Sequence, residues 1–345
     1  ANRSNPVLGT LTHCELLKSN RTDIENLPIE DIISQTRFAR VQLSDVGKLV
    51  YDSWNDIPKT YDKIKILACK VMPDHFHGII WVTTPLPYHL GEIIRFFKAE
   101  TTKLYKSYTR GNAPLWSEGF VDSILRTPLA IDSAKDYIKD NPRRLALKAI
   151  MPYMFKPSND ITIKNLFPQY PNFLAEFSGL GNKSLLDKTS FFQVQCSRKD
   201  FIYKRNENGE IIERNSPLLE SNSFLKIKCA MLEAAHKGAV IVSPCISDGE
   251  KALARVASEH GFPLIVLCKM GFRELFKPSG ELFDLCASGR LLMLAPAKWE
   301  YSHKRNSITR EKAQILNRIA QLICKNLDIK YNVSDSSCMA ACKRS

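Results

Sequence analysis

No stretch of this chain reaches the ~18 uninterrupted apolar residues that a membrane-spanning helix requires, which sets aside functions inside a bilayer. The polar start, ANRSN, has no apolar run of the kind a secretory leader carries, so the expectation is a cytoplasmic protein. There is no CxxC pair among the ten cysteines, and the late CMAAC has no histidines at zinc-finger spacing. The thiols sit instead in apolar segments such as LACKV and IVLCKM, where cysteine acts as a small core residue, and a reducing setting is expected. Tandem repeats and low-complexity tracts are absent. The GxG of FSGLGNK lacks the third glycine of a dinucleotide loop and precedes its strand. Acidic residues are also in short supply, 36 against 49 Lys and Arg, for a net charge of +13. Both halves of the chain are basic, the second more so. A polyanionic partner, nucleic acid foremost, fits this balance, and a basic protein with no nucleic-acid role is the alternative.

What is present is enough for two domains, since 345 residues exceed the usual size of one hydrophobic core. In the first half, LSDVGKLVYDSWNDI spaces Val46, Leu49, Val50, Trp54 and Ile57 as a helix does. KIKILACKV reads as a strand, Pro73-Asp74 as a turn and HFHGIIWVTT as a second strand. LGEIIRFFKAETTKLYKSYTR then predicts a long helix and GFVDSILRT an extended piece. IDSAKDYIKDN predicts a helix that stops before Pro142. With an early strand near LGTLTHCELL, the order suits an α+β sandwich with helices on an antiparallel sheet. Prolines 152, 157, 168 and 171 mark residues 150–174 as a linker between a first domain, 1–149, and a second, 175–328. In the second domain TSFFQVQC, GAVIVSP, PLIVLCKM and RLLMLAPA are apolar strands alternating with helices, the pattern of a mainly parallel sheet covered on both faces. Residues 329–345 read as a frayed tail.

The chemistry concentrates in VMPDHFHGIIWV. Strand alternation places His75, His77, Ile79 and Trp81 on one face and Phe76 on the other, where it can anchor the strand. Two imidazoles at i and i+2 hold one divalent ion if a third ligand approaches from elsewhere; otherwise they are ordinary side chains of a half-buried strand. In AKDYIKDNP, Tyr137 and Asn141 share a helical face. A phenol attacks a phosphodiester when a metal neutralises the phosphate, and Asn141 offers a neutral oxygen for that metal's shell. The plain alternatives are a core tyrosine with its hydroxyl at the rim and an asparagine ending a helix. Arg95, Lys98 and Lys103 on the long helix, and Arg126, Arg143 and Arg144 beside the tyrosine, are candidates for the DNA backbone or simply solvated side chains. Trp116 is a base-stacking candidate or a core anchor.

The ordered blocks LSDVGKLVYDSW, VMPDHFHGIIWV, LGEIIRFFKAETTK, LWSEGFVDSILR and DYIKDNP resemble, over roughly residues 30–148, the REP-associated tyrosine transposases. These are single-tyrosine members of the HUH nuclease superfamily. The resemblance implies a ferredoxin-like palm on which His75 and His77, with Asn141 as third ligand, bind Mg²⁺ or Mn²⁺. Tyr137 would attack a phosphate of single-stranded DNA, often carrying hairpins, to leave a 5′-phosphotyrosine and a free 3′-hydroxyl. Resealing by that hydroxyl completes strand transfer, and the expected location is the nucleoid. A domesticated protein that binds hairpins or single strands without cutting them is the alternative. Relatives commonly carry a histidine after an aromatic pair where this chain reads Phe120-Val121-Asp122-Ser123, so that histidine's contribution is missing here. The N-terminal segment before residue 30 has no clear match to the family's opening strand.

Residues 175–328, through GAVIVSPCISDGEKALARVASEHGFPLIVL, SGRLLMLAP and ITREKAQILNRIAQLI, resemble the Rossmann-like domain of the DNA-processing family DprA/Smf. Asn317-Arg318 falls near that family's Arg-Asn motif with the order altered. By this resemblance Ser243, Ser247, Asp248 and Gly249 form a ligand loop at the C-terminal strand edge. Single-stranded DNA or nucleotide binding is implied, with a homodimer among the assemblies allowed. Arg198 and Lys199, after the first strand, are further candidates for phosphate contact.

Overall fold

The computed structural model describes residues 6–164, 166, 174–196, 201–202, 207–208, 219–220, 222–274, 276–302, 308–325 and 329–331. The chain divides into two compact units, one of residues 1–19 and 34–150, the other of residues 20–33 and 151–345.

The chain begins with β1 (Gly9–Thr12), α1 (Arg21–Glu25), α2 (Ile29–Thr36) and β2 (Arg40–Leu43). It continues through α3 (Asp45–Asn55), α4 (Ile57–Thr60), β3 (Ile64–Val71), β4 (Phe76–Val82), α5 (Leu90–Thr109) and α6 (Pro128–Ile150). In the first unit β1 pairs antiparallel with β2, and β3 with β4, as two separate two-stranded ladders. Helix α3 starts where Ser44 accepts a hydrogen bond from Gly47 N at 3.0 Å, a cap contributing about 1 kcal/mol. Its apolar stripe then buries Val46, Val50 and Trp54 in a core shared with Ile64 and Val71 of β3 and Ile93 and Phe97 of α5.

Two expectations for this unit are corrected, while the expected ferredoxin-like palm is not confirmed, its strands forming two separate two-stranded ladders among the described residues. Residues 119–127 form no strand, because no neighbouring strand covers their apolar side chains, and Val121 and Ile124 stand 102% and 83% exposed. The last helix does not stop before Pro142 but runs through it to Ile150. An internal proline costs a helix roughly 3 kcal/mol through a lost N–H and a clash. Continuity is supported by the burial of Ile138, Pro142, Ala146, Leu147 and Ile150, and by Asn141, whose Nδ2 donates to the Tyr137 carbonyl at 3.0 Å.

The second unit holds β5 (Ser158–Lys164), β6 (Leu174–Gly181), β7 (Phe191–Gln193), the short pair β8 (Phe201–Ile202) and β9 (Leu219–Glu220), and α7 (Asn222–His236). Then come β10 (Val240–Ser243), α8 (Asp248–Glu259), β11 (Leu264–Leu267), α9 (Glu281–Ala287), β12 (Leu291–Pro296), α10 (Arg310–Cys324) and β13 (Ile329–Tyr331). One seven-stranded sheet runs β13-β5-β6-β12-β11-β10-β7. The block β12-β11-β10-β7 is parallel, as expected of buried apolar strands joined by helices, and is compatible with a Rossmann-like core. Leu316, Ile319, Ala320 and Ile323 of α10 share one buried core with Val240, Val242, Ile265 and Leu292 of the sheet.

The rest of that sheet departs from expectation. Its other three ladders, through β6, β5 and β13, are antiparallel, so the sheet is parallel in half of its pairings. Within the expected linker, residues Ser158–Lys164 form β5, which buries Ile161 and Ile163. The expected tail contributes β13, paired with β5. The GxG of FSGLGNK lies within β6, and it serves strand packing. Gly181 sits at φ +105°, and a Cβ there would stand 2.1 Å from the Leu291 carbonyl oxygen. Among the described residues no helix is long and apolar enough to cross a membrane.

Candidate active-site cleft

The two histidines are placed by the turn between β3 and β4. Met72 N donates to the His75 carbonyl at 2.8 Å, closing the hairpin over Pro73 and Asp74. Phe76 then turns into the core against Trp54 and Phe97, at 4.7 and 5.5 Å between ring centroids. Alternation leaves His75 and His77 together on the opposite face, their rings 4.9 Å apart and nearly perpendicular. Gly78 completes the arrangement, because a Cβ there would come within 2.2 Å of the Trp54 ring.

His75 and His77 differ in environment. Asp74 Oδ1 lies 2.6 Å from His75 Nδ1, an orienting carboxylate of the kind that leaves the other ring nitrogen to face a ligand. Burial, aided by the neighbouring His75, pushes the His77 value down from 6.5 to about 4, so its imidazole is neutral at pH 7 with a lone pair available.

Helix α6 packs against β3 and β4 and brings Tyr137 to the pair. The Tyr137 ring lies 5.7 Å from that of His77 and edge-on to it, and Tyr137 remains 42% exposed. On the helix side the Arg144 guanidinium carbon lies 5.4 Å from the Tyr137 ring centroid. Arg143 and Arg144 both grip Asp140, with Arg143 Nε and Nη2 at 2.6 and 2.7 Å and Arg144 Nε at 2.8 Å. Burial raises the Asp140 carboxyl, but the two guanidinium groups outweigh it and hold the value below the ordinary aspartate range.

These side chains open onto a cleft of about 750 Å³ whose walls include His75, His77, Trp116, Phe120, Ser123 and Tyr137. One wall is the segment 117–125, latched by Lys98, whose Nζ donates to the Ser117 and Gly119 carbonyls at 2.7 and 2.8 Å. Burial lowers the Lys98 value, with Glu118 opposing that shift. Trp116 is a core anchor, its Nε1 donating to Thr101 Oγ1 at 2.8 Å and its ring 6.0 Å from Phe97.

The sequence-predicted residues therefore divide. His75, His77, Tyr137 and Lys98 meet in the cleft, while Asn141 is buried and does not line it. Arg95 and Lys103 are exposed on α5, and Arg126 is exposed before α6, without lining the cleft. Arg144 is 8% exposed and Arg143 half-buried, both engaged with Asp140. Among the described residues no group of three His, Cys, Asp or Glu side chains could hold a metal ion. The two imidazoles fit a divalent cation as a partial nitrogen set, with water or phosphate oxygens to complete it. Sequence reasoning missed Asp74, Asp140 and the latch role of Lys98. Asp74, one position before His75, carried a signal, and so did the i, i+3 and i, i+4 spacing of Asp140, Arg143 and Arg144.

In the second unit Ser243 through Gly249 do lie at the C-terminal end of β10, but their polar groups are already engaged within the chain. Ser247 caps α8 in a reciprocal capping box with Glu250 and donates to the Cys196 carbonyl at 2.9 Å. Glu250, 4% exposed, accepts from Ile246 N and Ser247 N at 2.7 and 3.0 Å, taking the amides that an anion at a helix N-terminus would use. Ser243 is fully buried, its hydroxyl donating to the Glu250 carbonyl at 3.4 Å. Gly249 is also buried, and Asp248 is exposed beside Lys251. Strands β7, β10, β11 and β12 lie side by side in chain order, so no reversal of order opens a crevice within this block. Asn317 Oδ1 and Arg318 Nε are buried without hydrogen-bond partners among the described residues. Arg198 and Lys199 lie outside the described residues.

No protein-family profile matches the chain. No solved structure matches it. The chain is similar to an uncharacterized protein of Haemophilus influenzae, with 29% identity over 30% of this chain and 68% of that relative.

Proposed function

We propose that this chain nicks and rejoins single-stranded DNA through a tyrosine nucleophile, in the manner of the single-tyrosine, REP-associated HUH transposases it resembles. The observation that carries the reading is the convergence of Tyr137 with the His75–His77 pair in one open cleft, the Tyr137 and His77 rings 5.7 Å apart. Nothing in packing alone requires an exposed tyrosine to sit beside two adjacent imidazoles. The net charge of +13 supports a polyanionic substrate, and the second unit, with its DprA/Smf-like parallel strands, is assigned to gripping the strand.

In the step itself the Tyr137 oxygen attacks phosphorus, and the bond from phosphorus to the 3′ oxygen breaks. The phenol's proton goes to the departing oxygen, so the products are a 5′-phosphotyrosine and a 3′-hydroxyl. The reverse attack by a 3′-hydroxyl reseals the strand with no nucleotide cofactor. His75, oriented by Asp74, and neutral His77 would hold Mg²⁺ or Mn²⁺, which when bound supplies charge neutralisation at the phosphate. The His77 ring also lies nearly perpendicular to that of Tyr137.

A second reading, a hairpin or single-strand binder that does not cut, is favoured by the partial metal set and by Asn141 standing outside the cleft. Labelled hairpin-bearing single-stranded DNA, incubated with the protein and Mn²⁺ and then denatured, separates the two. An adduct that Tyr137→Phe abolishes is the expected result; binding with no adduct makes the protein a binder.

A further inference from the structure

We propose that Asp140 and Arg144 form a clamp that orients the Tyr137 ring, a positioning role that rests on the nucleophile reading above. Tyr137 is 42% exposed, so core packing alone leaves much of its ring unconfined. Two contacts do confine it, the His77 ring, nearly perpendicular to it at 5.7 Å, and the Arg144 guanidinium at 5.4 Å from its centroid. Arg144 in turn is held by its Nε bond to Asp140 at 2.8 Å, and Arg143 fixes that carboxylate through two further bonds. At 8% exposure, with Nε committed to a carboxylate, Arg144 is badly placed to grasp a DNA phosphate from solvent. Its planar cation is well placed to lie against an aromatic face. A phenol held before the substrate arrives needs no ordering at the moment of attack, and small misplacement of a reacting group costs rates of about 100-fold.

The test uses the full chain carrying 3-fluorotyrosine at its eleven tyrosines, with the Tyr137 resonance identified by its loss in Tyr137→Phe. In Arg144→Leu and Asp140→Asn that resonance should move toward the free-tyrosine position while the other fluorotyrosine lines stay, reporting an intact fold. Arg144→Lys, which keeps a cation but loses the planar fork, should give an intermediate shift and decides the matter if Arg144→Leu fails to fold. In parallel, the single-turnover rate of adduct formation at saturating hairpin DNA should fall about 100-fold in Arg144→Leu, with the DNA half-saturation unchanged. Arg144→Lys should recover part of that rate. An unmoved Tyr137 resonance overturns the clamp, as does a loss of DNA affinity equal to the loss of rate, which would make Arg144 a DNA contact. A wild-type protein that forms no adduct defeats the nicking reading, while the resonance still decides the clamp.

Discussion

A histidine that holds a proton cannot hold a cation, and the fold settles this for His77 well below neutrality. Its value falls from 6.5 to about 4 through burial and the adjacent His75. The unfolded chain therefore binds a proton at His77 that the folded chain refuses between those two values. Stability from this group is full above about pH 6.5 and is lost as pH falls to about 4, a change of about 3 kcal/mol. Urea midpoints of the metal-free protein at pH 7 and pH 4.5 should show this loss in the wild type and a smaller one in His77→Gln. Equal losses would place the acid sensitivity elsewhere. The two histidines and the tyrosine were legible in VMPDHFHGIIWV and DYIKDNP because each motif is short and its residue types are chemically suggestive. Lys98 was not, because a lysine on a polar helix face looks the same whether it is solvated or, as here, bonded to two carbonyls of a loop some 20 residues away.

At the scale of elements, β4 works as a two-sided plate. One face sets Phe76 and the Gly78 backbone against Trp54, and the other carries His77, with His75 in the turn just before the strand; residues of both faces line the cleft. The Trp54 indole is 4% exposed and ringed by Phe76 and Phe97, so it has no room to yield to a new methyl group. Gly78→Ala should destabilise the protein by about 1–3 kcal/mol, the usual cost of overpacking, read as a lowered denaturant midpoint with unchanged slope. Helix α6 shows the complementary lesson. Proline marks a helix end from local sterics, yet the apolar side chains at Ile138, Pro142 and Ala146 bury together and the helix continues. The continuous helix sets Arg144 two turns beyond Tyr137 on the same side, which makes the clamp geometrically accessible.

At the scale of the whole molecule, charge is the property that reaches farthest. A net +13 predicts that single-stranded DNA binding weakens steeply with salt, log affinity falling linearly with log salt concentration by about 0.7 per phosphate contact. Titrations from 50 to 200 mM salt check this, and a flat response would remove the polyanion argument.

The sequence by itself determined the elements whose signals are local. The strands VIVS, LIVL and LLMLAP, the capped helices α3 and α8, and the hairpin around Pro73-Asp74 were all legible within windows of a dozen residues. Tertiary structure decided what depends on distant partners. Strand β5 was hidden among prolines because its Ile161 and Ile163 acquire meaning only when β6 and β13 flank them. The extended piece expected at residues 119–127 pairs with no strand among the described residues. The folded loop also places Ile246 N and Ser247 N around the Glu250 carboxylate, a contact that depends on the loop as well as the helix. Likewise His77 and Tyr137 carry separate motifs in sequence, and only the packing of α6 on β3 and β4 makes them one site.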